Sequence, residues 1–132
     1  TTGHCLGAAL AQLAAMELLH RGIKVDNVYN FGQPRTGNSF FSAYSSSSIP
    51  QFRHVHYKDP VPHVPPPALG FVHTCNEMYE PNEIFDGTLN QCGNINNCEG
   101  DGSKDTCMLV WKDWQLKSDD HMTYLGKKIV CA

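Results

Sequence analysis

A cysteine stands between two glycines in Gly3-His4-Cys5-Leu6-Gly7. The G-x-C-x-G spacing is that of a nucleophile elbow, with sulfur where a serine hydroxyl usually stands. At such an elbow a strand turns abruptly into a helix and leaves one residue strained at the tip. Glycines two before and two after let the backbone pass close by. The tip side chain stands at a helix N-terminus, whose dipole favours negative charge. The N–H of the next residue, Leu6, then points where an oxyanion would form. Two further groups complete a set for acyl transfer. Asp59 follows a predicted strand and is held by prolines in Tyr57-Lys58-Asp59-Pro60-Val61-Pro62. His121 lies in Asp119-Asp120-His121-Met122-Thr123-Tyr124. Each has a plainer reading. Cys5 also suits a small buried residue at a helix start, and Asp59 an ordinary turn aspartate before proline.

The elements that must position these groups are legible in outline. Segment 5–21 reads as a helix: Leu6, Leu10, Leu13 and Glu17 follow one row, and alanines fill much of the rest. Small side chains on nearly every face predict close packing on something flat, such as a sheet, with Gly22 placed to stop the helix. Val25, Val28, Tyr29 and Phe31 then predict a buried strand ending at Gly32-Gln33-Pro34. Asn38 can cap a helix over 39–45 whose Phe40, Phe41 and Tyr44 would face inward, and the run Ser45 to Ser48 reads as a closing loop. Residues 52–57 alternate as a strand. Pro60, Pro62, Pro65, Pro66 and Pro67 forbid regular structure. Strands are expected at 70–74 and 77–80, and a polar loop over 86–106. Segments 107–114 and 121–131 fit neither pattern. This order predicts parallel α/β architecture. Two clear parallel strands and one or two others are too few to complete a sheet covered on both faces. Among the other histidines, His54 and His56 read as structural or exposed strand residues and His20 as a helix-end residue. His4, next to the nucleophile, is expected to point away from it.

Composition narrows the class. The chain has 132 residues, 41% hydrophobic and 17% charged, which suits one small globular domain. A net charge of −3 offers no basic stripe for nucleic acid, and no apolar run approaches a membrane span. The chain begins at Thr1 rather than methionine, so an upstream segment is expected to have been removed or left out. Cys92, Cys98 and Cys107 fall in a stretch rich in Asn, Gly and Asp, where disulfides are the usual way to fix a loop. They imply an oxidising compartment. Zinc is the competing reading, but the C-x5-C and C-x8-C spacings are not those of ordinary zinc sites.

The chain order Cys5, Asp59, His121 is that of the α/β-hydrolase nucleophile, acid and histidine. Four segments carry a closer resemblance. Thr2-Gly3-His4-Cys5-Leu6-Gly7-Ala8-Ala9-Leu10-Ala11 resembles the T-G-H-S-L-G-G-A-L-A block of class 3 lipases, the group that includes fungal triacylglycerol lipases and feruloyl esterases. Asn30-Phe31-Gly32-Gln33-Pro34-Arg35-Thr36-Gly37-Asn38 is similar to that family's F-G-Q-P-R-V-G-N segment. Asp59 to Pro66 resembles the block around its catalytic aspartate, and His121 to Gly126 the block around its catalytic histidine. Gly70-Phe71-Val72-His73 resembles the strand before the E-x-W/Y element, here Glu77-Met78-Tyr79, which makes His73 structural.

The resemblance implies the C-terminal part of an α/β-hydrolase fold, a mostly parallel sheet flanked by helices and truncated at the elbow. Residues 1–132 would be the C-terminal portion of one domain. Early strands, lid, acyl groove and second oxyanion donor would lie upstream, so the isolated fragment should expose an unpaired edge and have little activity. It implies a carboxylic-ester hydrolase with Cys5 as nucleophile, His121 as base and Asp59 orienting it, working on a lipid or other ester at a lipid–water interface. No cofactor or metal is needed, and a secreted or lysosomal or vacuolar setting is expected. Cys131 looks like a C-terminal cysteine that some members bond to an N-terminal one. Cys92 with Cys98 would match a short disulfide loop of feruloyl-esterase-like members, leaving Cys75 with Cys107. The departure is Cys5. A thiol is competent and more acidic than a hydroxyl, but its longer bonds misplace the oxyanion, and such misplacement can cost about 10²-fold. An inactive lipase-like fragment or lipid-binding relative is therefore the second reading. A disulfide-stabilised module without hydrolase ancestry is the third.

Overall fold

The structure, a computed structural model, describes residues 1–93, 98 and 107–129. Strand β1 (Thr2–His4) runs straight into helix α1 (Leu6–His20), followed by β2 (Val28–Phe31), α2 (Ser39–Ser48), β3 (Gln51–His56), β4 (Glu77–Glu80) and β5 (Asn90–Cys92). The sheet has the order β1-β2-β3-β4-β5. The first four strands are parallel and β5 is antiparallel to β4. A two-stranded ribbon, β6 (Thr123–Tyr124) and β7 (Lys127–Lys128), closes the described chain. The parallel architecture expected from element order is present, with more strands than the pattern offered. Residues 86–106 are not all loop, because β5 pairs on β4. Residues 70–74 are not a strand. Val72 makes a lone bridge to Gly37, because the chain enters from a proline-started turn at Pro67–Leu69.

Registered partners share a face because side chains alternate along a strand. Val28 pairs with Gln51 and Asn30 with Arg53, Arg53 with Glu77 and Val55 with Tyr79. This face is covered first by α1. Ala8, Gln12 and Ala15 are buried one turn apart, and their small side chains let the helix lie close to the sheet. The row Leu6, Leu10 and Leu13 points away, 65%, 57% and 46% exposed. Ala15, Val28 and Ile49 form one apolar cluster. Val55, Tyr79, Cys92, Cys107 and Met108 form another.

Between them lies a polar layer that corrects the reading of α2. Asn38 caps the helix, accepting from the Phe41 N–H at 3.0 Å, as its type predicts. The inward residues, however, are Ser42 and Ser45, while Phe40 and Tyr44 are 83% and 62% exposed. Ser45 accepts hydrogen bonds from Gln12 and Gln51, and Ser42 donates to the His73 carbonyl at 2.5 Å. Buried polar groups must be paired, and short hydroxyls do this where a phenyl ring could not. The serine run also stays helical to Ser48, with Ser47 and Ser48 hydroxyls donating back to the Tyr44 carbonyl.

The disulfides join Cys75 to Cys98 and Cys92 to Cys107, not Cys92 to Cys98 and Cys75 to Cys107. Register explains the exchange. Cys92 lies opposite Glu77, whose carboxylate accepts the Met108 N–H at 2.9 Å, and this brings Cys107 to Cys92. Arg53 donates to the Thr74 carbonyl at 2.6 Å and approaches the Cys98 carbonyl at 3.5 Å, which brings Cys75 to Cys98. The zinc reading falls with these bonds. Cys131 lies outside the described residues.

The buried Arg53–Glu77 pair thus ties β3, β4, the disulfide loop and the turn at Met108. Removing one partner of such a pair strands the other charge. Arg53→Met is expected to lower stability by about 3–5 kcal/mol, read as a fall in the urea midpoint of the full-length protein.

Candidate active site

The elbow is built as its spacing requires. β1 pairs with β2, and the Cys5 N–H donates to the Phe31 carbonyl at 3.0 Å. Cys5 then takes φ 59° and ψ −133°, a positive-φ conformation that costs a non-glycine residue on the order of 1–3 kcal/mol. The Ala8 N–H donates to the Cys5 carbonyl at 3.0 Å, so the helix starts at once. Leu6 is its first residue, where an amide has no carbonyl one turn back to bond. The two glycines differ. A Cβ on Gly3 would run into the Gly7 carbonyl and the Ala8 nitrogen, whereas one on Gly7 would meet nothing. Cys5 is a free thiol, half-buried.

Asp59 follows β3 through Tyr57, itself at φ 40°. Its carboxylate is fully buried. Oδ1 accepts the Val61 N–H at 2.8 Å. Oδ2 accepts His121 Nδ1–H at 2.8 Å and the Tyr124 hydroxyl. The proline turn is clamped from β2's side: the Arg35 guanidinium donates to the His63 and Pro65 carbonyls at 2.5 and 3.1 Å. His121 arrives on a turn of 3-10 helix, Ser118–Met122, tied to the Asp59 turn by the Lys117 N–H on the Lys58 carbonyl at 2.9 Å.

With Nδ1–H committed to a carboxylate, the lone pair of neutral His121 is on Nε2. Nε2 is buried and has no hydrogen-bond partner among the described residues. Burial disfavours the imidazolium, but the hydrogen bond and charge of Asp59, helped by Cys5, outweigh it and raise the ring above its ordinary pKa. Cys5, Asp59 and His121 are therefore brought together from three separate segments. The arrangement can take a proton from a thiol and hold the resulting charge pair.

Sequence reasoning missed several supports. Gly32, at φ 56°, lies directly against the pair: a Cβ there would stand 2.9 Å from both Asp59 Oδ2 and the His121 ring. A glycine ending a strand was the available signal. His4 does not simply point away. Its Nε2 donates to the His121 carbonyl at 2.8 Å and its ring stacks on His121 at 4.4 Å. Burial lowers the His4 pKa, and the hydrogen bond to the His121 carbonyl only partly offsets it. The buried Glu80 accepts the Leu125 N–H at 3.0 Å, fixing the turn after Tyr124. The other histidines do different work. His73 donates to the Pro62 carbonyl at 2.7 Å and burial holds it well below its ordinary pKa. His54 and His56 are buried, not exposed, and His54 stacks on Phe31. No group of metal-ligating side chains is found among the described residues.

Comparison with known proteins bears on the family and the fold. Residues 1–69, just over half of the chain, match the family Lipase (class 3). A secreted mono- and diacylglycerol lipase of Fusarium solani is 40% identical over 139 aligned residues, covering 99% of this chain and 38% of the relative. The crystal structure of a lipase from Rhizopus microsporus var. chinensis superposes with a TM-score of 0.81 at 36% identity, covering 96% of this chain and 43% of that one. A triacylglycerol lipase described as having a serine protease triad as its catalytic centre gives a TM-score of 0.72 at 34% identity, covering 96% and 47%. The chain spans less than half the length of each. The fold is thus that of the α/β-hydrolases, a mostly parallel sheet with flanking helices.

NMR titration of the full-length protein should place His121 above the ordinary histidine value of about 6.5 and His4 below it. In Gly32→Ala the new methyl forces Asp59 and His121 apart, and the His121 pKa should drop toward that ordinary value. An unmoved His121 titration in Gly32→Ala would contradict the steric role given to this glycine.

Proposed function

The chain belongs to the class 3 lipase family, and on that premise we propose that it is the C-terminal portion of a single-domain carboxylic-ester hydrolase acting on lipid esters through Cys5, Asp59 and His121. The observation that carries this reading is the Asp59–His121 hydrogen bond of 2.8 Å, which commits Nδ1 and leaves Nε2 as the ring's basic nitrogen. In the proposed reaction His121 Nε2 takes the Cys5 proton and the thiolate attacks the ester carbonyl. The oxyanion is stabilised by the Leu6 N–H and the positive end of α1. His121 returns the proton to the departing alcohol, leaving an acyl group on Cys5 as a thioester. Water, activated by His121, then releases the acid. Asp59 fixes the tautomer and offsets the imidazolium charge throughout. No cofactor enters these steps.

The substrate class follows from the relatives, whose names specify lipases of mono- and diacylglycerols and of triacylglycerol. The two disulfides and the secreted relative support an extracellular or other oxidising compartment, and a lipid–water interface is the expected workplace. One observation favours a second reading, a relative disabled at one atom: sulfur occupies a site whose family block carries oxygen.

Hydrolysis of p-nitrophenyl butyrate by the full-length protein separates them. The proposed reading expects turnover by the Cys5 form, none by Cys5→Ala, and a loss on the order of 10⁴ in kcat for Asp59→Asn. The base must be neutral, so activity should fall as pH drops through the raised His121 pKa, and Asp59→Asn should move that limb to lower pH. Activity appearing only in Cys5→Ser would establish the disabled relative, and silence in both forms a binding protein.

A further inference from the structure

Resting on the reading of Cys5, Asp59 and His121 as one reacting set, we infer that His4 is the positioning residue of the base, its side chain clamping both the backbone and the ring of His121 to the elbow. Two contacts carry this role. His4 Nε2–H donates to the His121 backbone carbonyl at 2.8 Å, across 117 residues of sequence. The same ring lies over the His121 ring, with centroids 4.4 Å apart and planes 29° apart. A third contact, edge to face, reaches the Tyr124 ring at 5.8 Å. His121 and Tyr124 are the two side chains that bond Asp59 Oδ2, so one ring bears on both.

Asp59 alone does not fix the base. A single hydrogen bond at Nδ1 holds one edge of the imidazole and lets the ring pivot about it. The segment that carries His121 is a short 3-10 turn, Ser118–Met122, and such turns have poorer hydrogen-bond geometry than an α-helix. Carbonyls at a helix end find no partner within the helix, and for His121 the partner is the His4 side chain. His4 itself ends β1, in register with Phe31, and the next residue is Cys5. The bond therefore ties the backbone of the base to the strand end that carries the nucleophile. The stack sets the plane of its ring, since paired aromatic rings prefer offset arrangements of defined geometry.

The protonation state of His4 suits the task. A neutral imidazole has one N–H to give, and here it goes to the His121 carbonyl. Burial lowers the His4 pKa and so keeps the ring neutral. A neutral ring against His121 adds no like charge when the base takes up a proton. It also covers one face of an imidazole whose side chain is only 12% exposed. Misplacing a reacting group by about 1 Å costs on the order of 10²-fold in rate, so loss of the clamp falls on kcat rather than on substrate binding.

The test uses the full-length protein and three variants: His4→Ala, His4→Phe, which keeps a ring to stack, and His4→Gln, which keeps an N–H to donate. Two rates are measured, turnover of p-nitrophenyl butyrate and alkylation of Cys5 by iodoacetamide, the second followed by mass spectrometry. The expected result for His4→Ala is a kcat lowered about 10²-fold with KM within about twofold of the parent. Its Cys5 alkylation should slow as in His121→Ala, which lacks the base that takes the thiol proton. His4→Phe and His4→Gln should each recover part of both rates. Unchanged rates in His4→Ala would overturn the inference and leave the esterase standing. A loss that neither conservative variant recovers, and that tracks a fall in thermal midpoint, would also overturn it, since that marks a structural residue only. Slowed alkylation in His4→Ala, with no ester turnover by the parent, would overturn the functional reading and leave His4 as the residue that positions His121.

Discussion

A carboxylate with no exposure to water must be hydrogen-bonded at nearly every lone pair or its burial costs several kcal/mol. Asp59 is such a group, and much of the chain's end is arranged to satisfy it. Its own turn supplies the Val61 N–H. The other donors, His121 and Tyr124, lie more than sixty residues away, so the terminal segment has to fold back over β3. The links that hold it there are backbone ones: Lys117 to Lys58 and Ile129 to Met122, with Glu80 receiving Leu125. Gly32 leaves room for this pairing, since a Cβ there would collide with Asp59 Oδ2 and the His121 ring. Meeting the needs of one buried carboxylate thereby sets the tautomer and direction of the imidazole beside Cys5.

The other half of the site is set by strain rather than by pairing. The elbow residue is held at positive φ between the Phe31 carbonyl and the first turn of α1. Gly3 allows the strand and the helix to approach so closely. Nothing in this backbone distinguishes sulfur from oxygen. The fold delivers whichever atom stands at the tip to the helix N-terminus and the base, and the chemistry then depends on that atom. A thiol is more acidic than a hydroxyl, and its longer carbon–sulfur bond displaces the point of attack relative to a serine.

How much of this was legible in the sequence depended on the range of the interaction. The elbow, α1, β2 and the strands near 52–57 and 77–80 were readable because their patterns are local: glycine spacing, alanine rows and alternation. Asn38 as a cap was readable for the same reason. Phe40 and Tyr44 misled, because their apolar character says inward, whereas the inward face of α2 is chosen by Gln12 and Gln51, distant residues whose amides need the Ser45 hydroxyl. The disulfide pairing and β5 were not readable, since register across β4 decides them. Asp59 and His121 could be picked out by motif, but the packing of His4 on His121 and of Gly32 against both could not, because those contacts exist only once the terminal segment has folded back.

Whether the thiol at the elbow accepts an acyl group can be measured directly. The full-length protein is mixed with p-nitrophenyl butyrate, quenched in acid, digested and analysed by mass spectrometry for the peptide that contains Cys5. The expected result is a butyryl group on Cys5, removed by neutral hydroxylamine and absent when His121 is replaced by alanine. An unmodified Cys5 peptide recovered while nitrophenol is being released would contradict the assignment of Cys5 as the nucleophile.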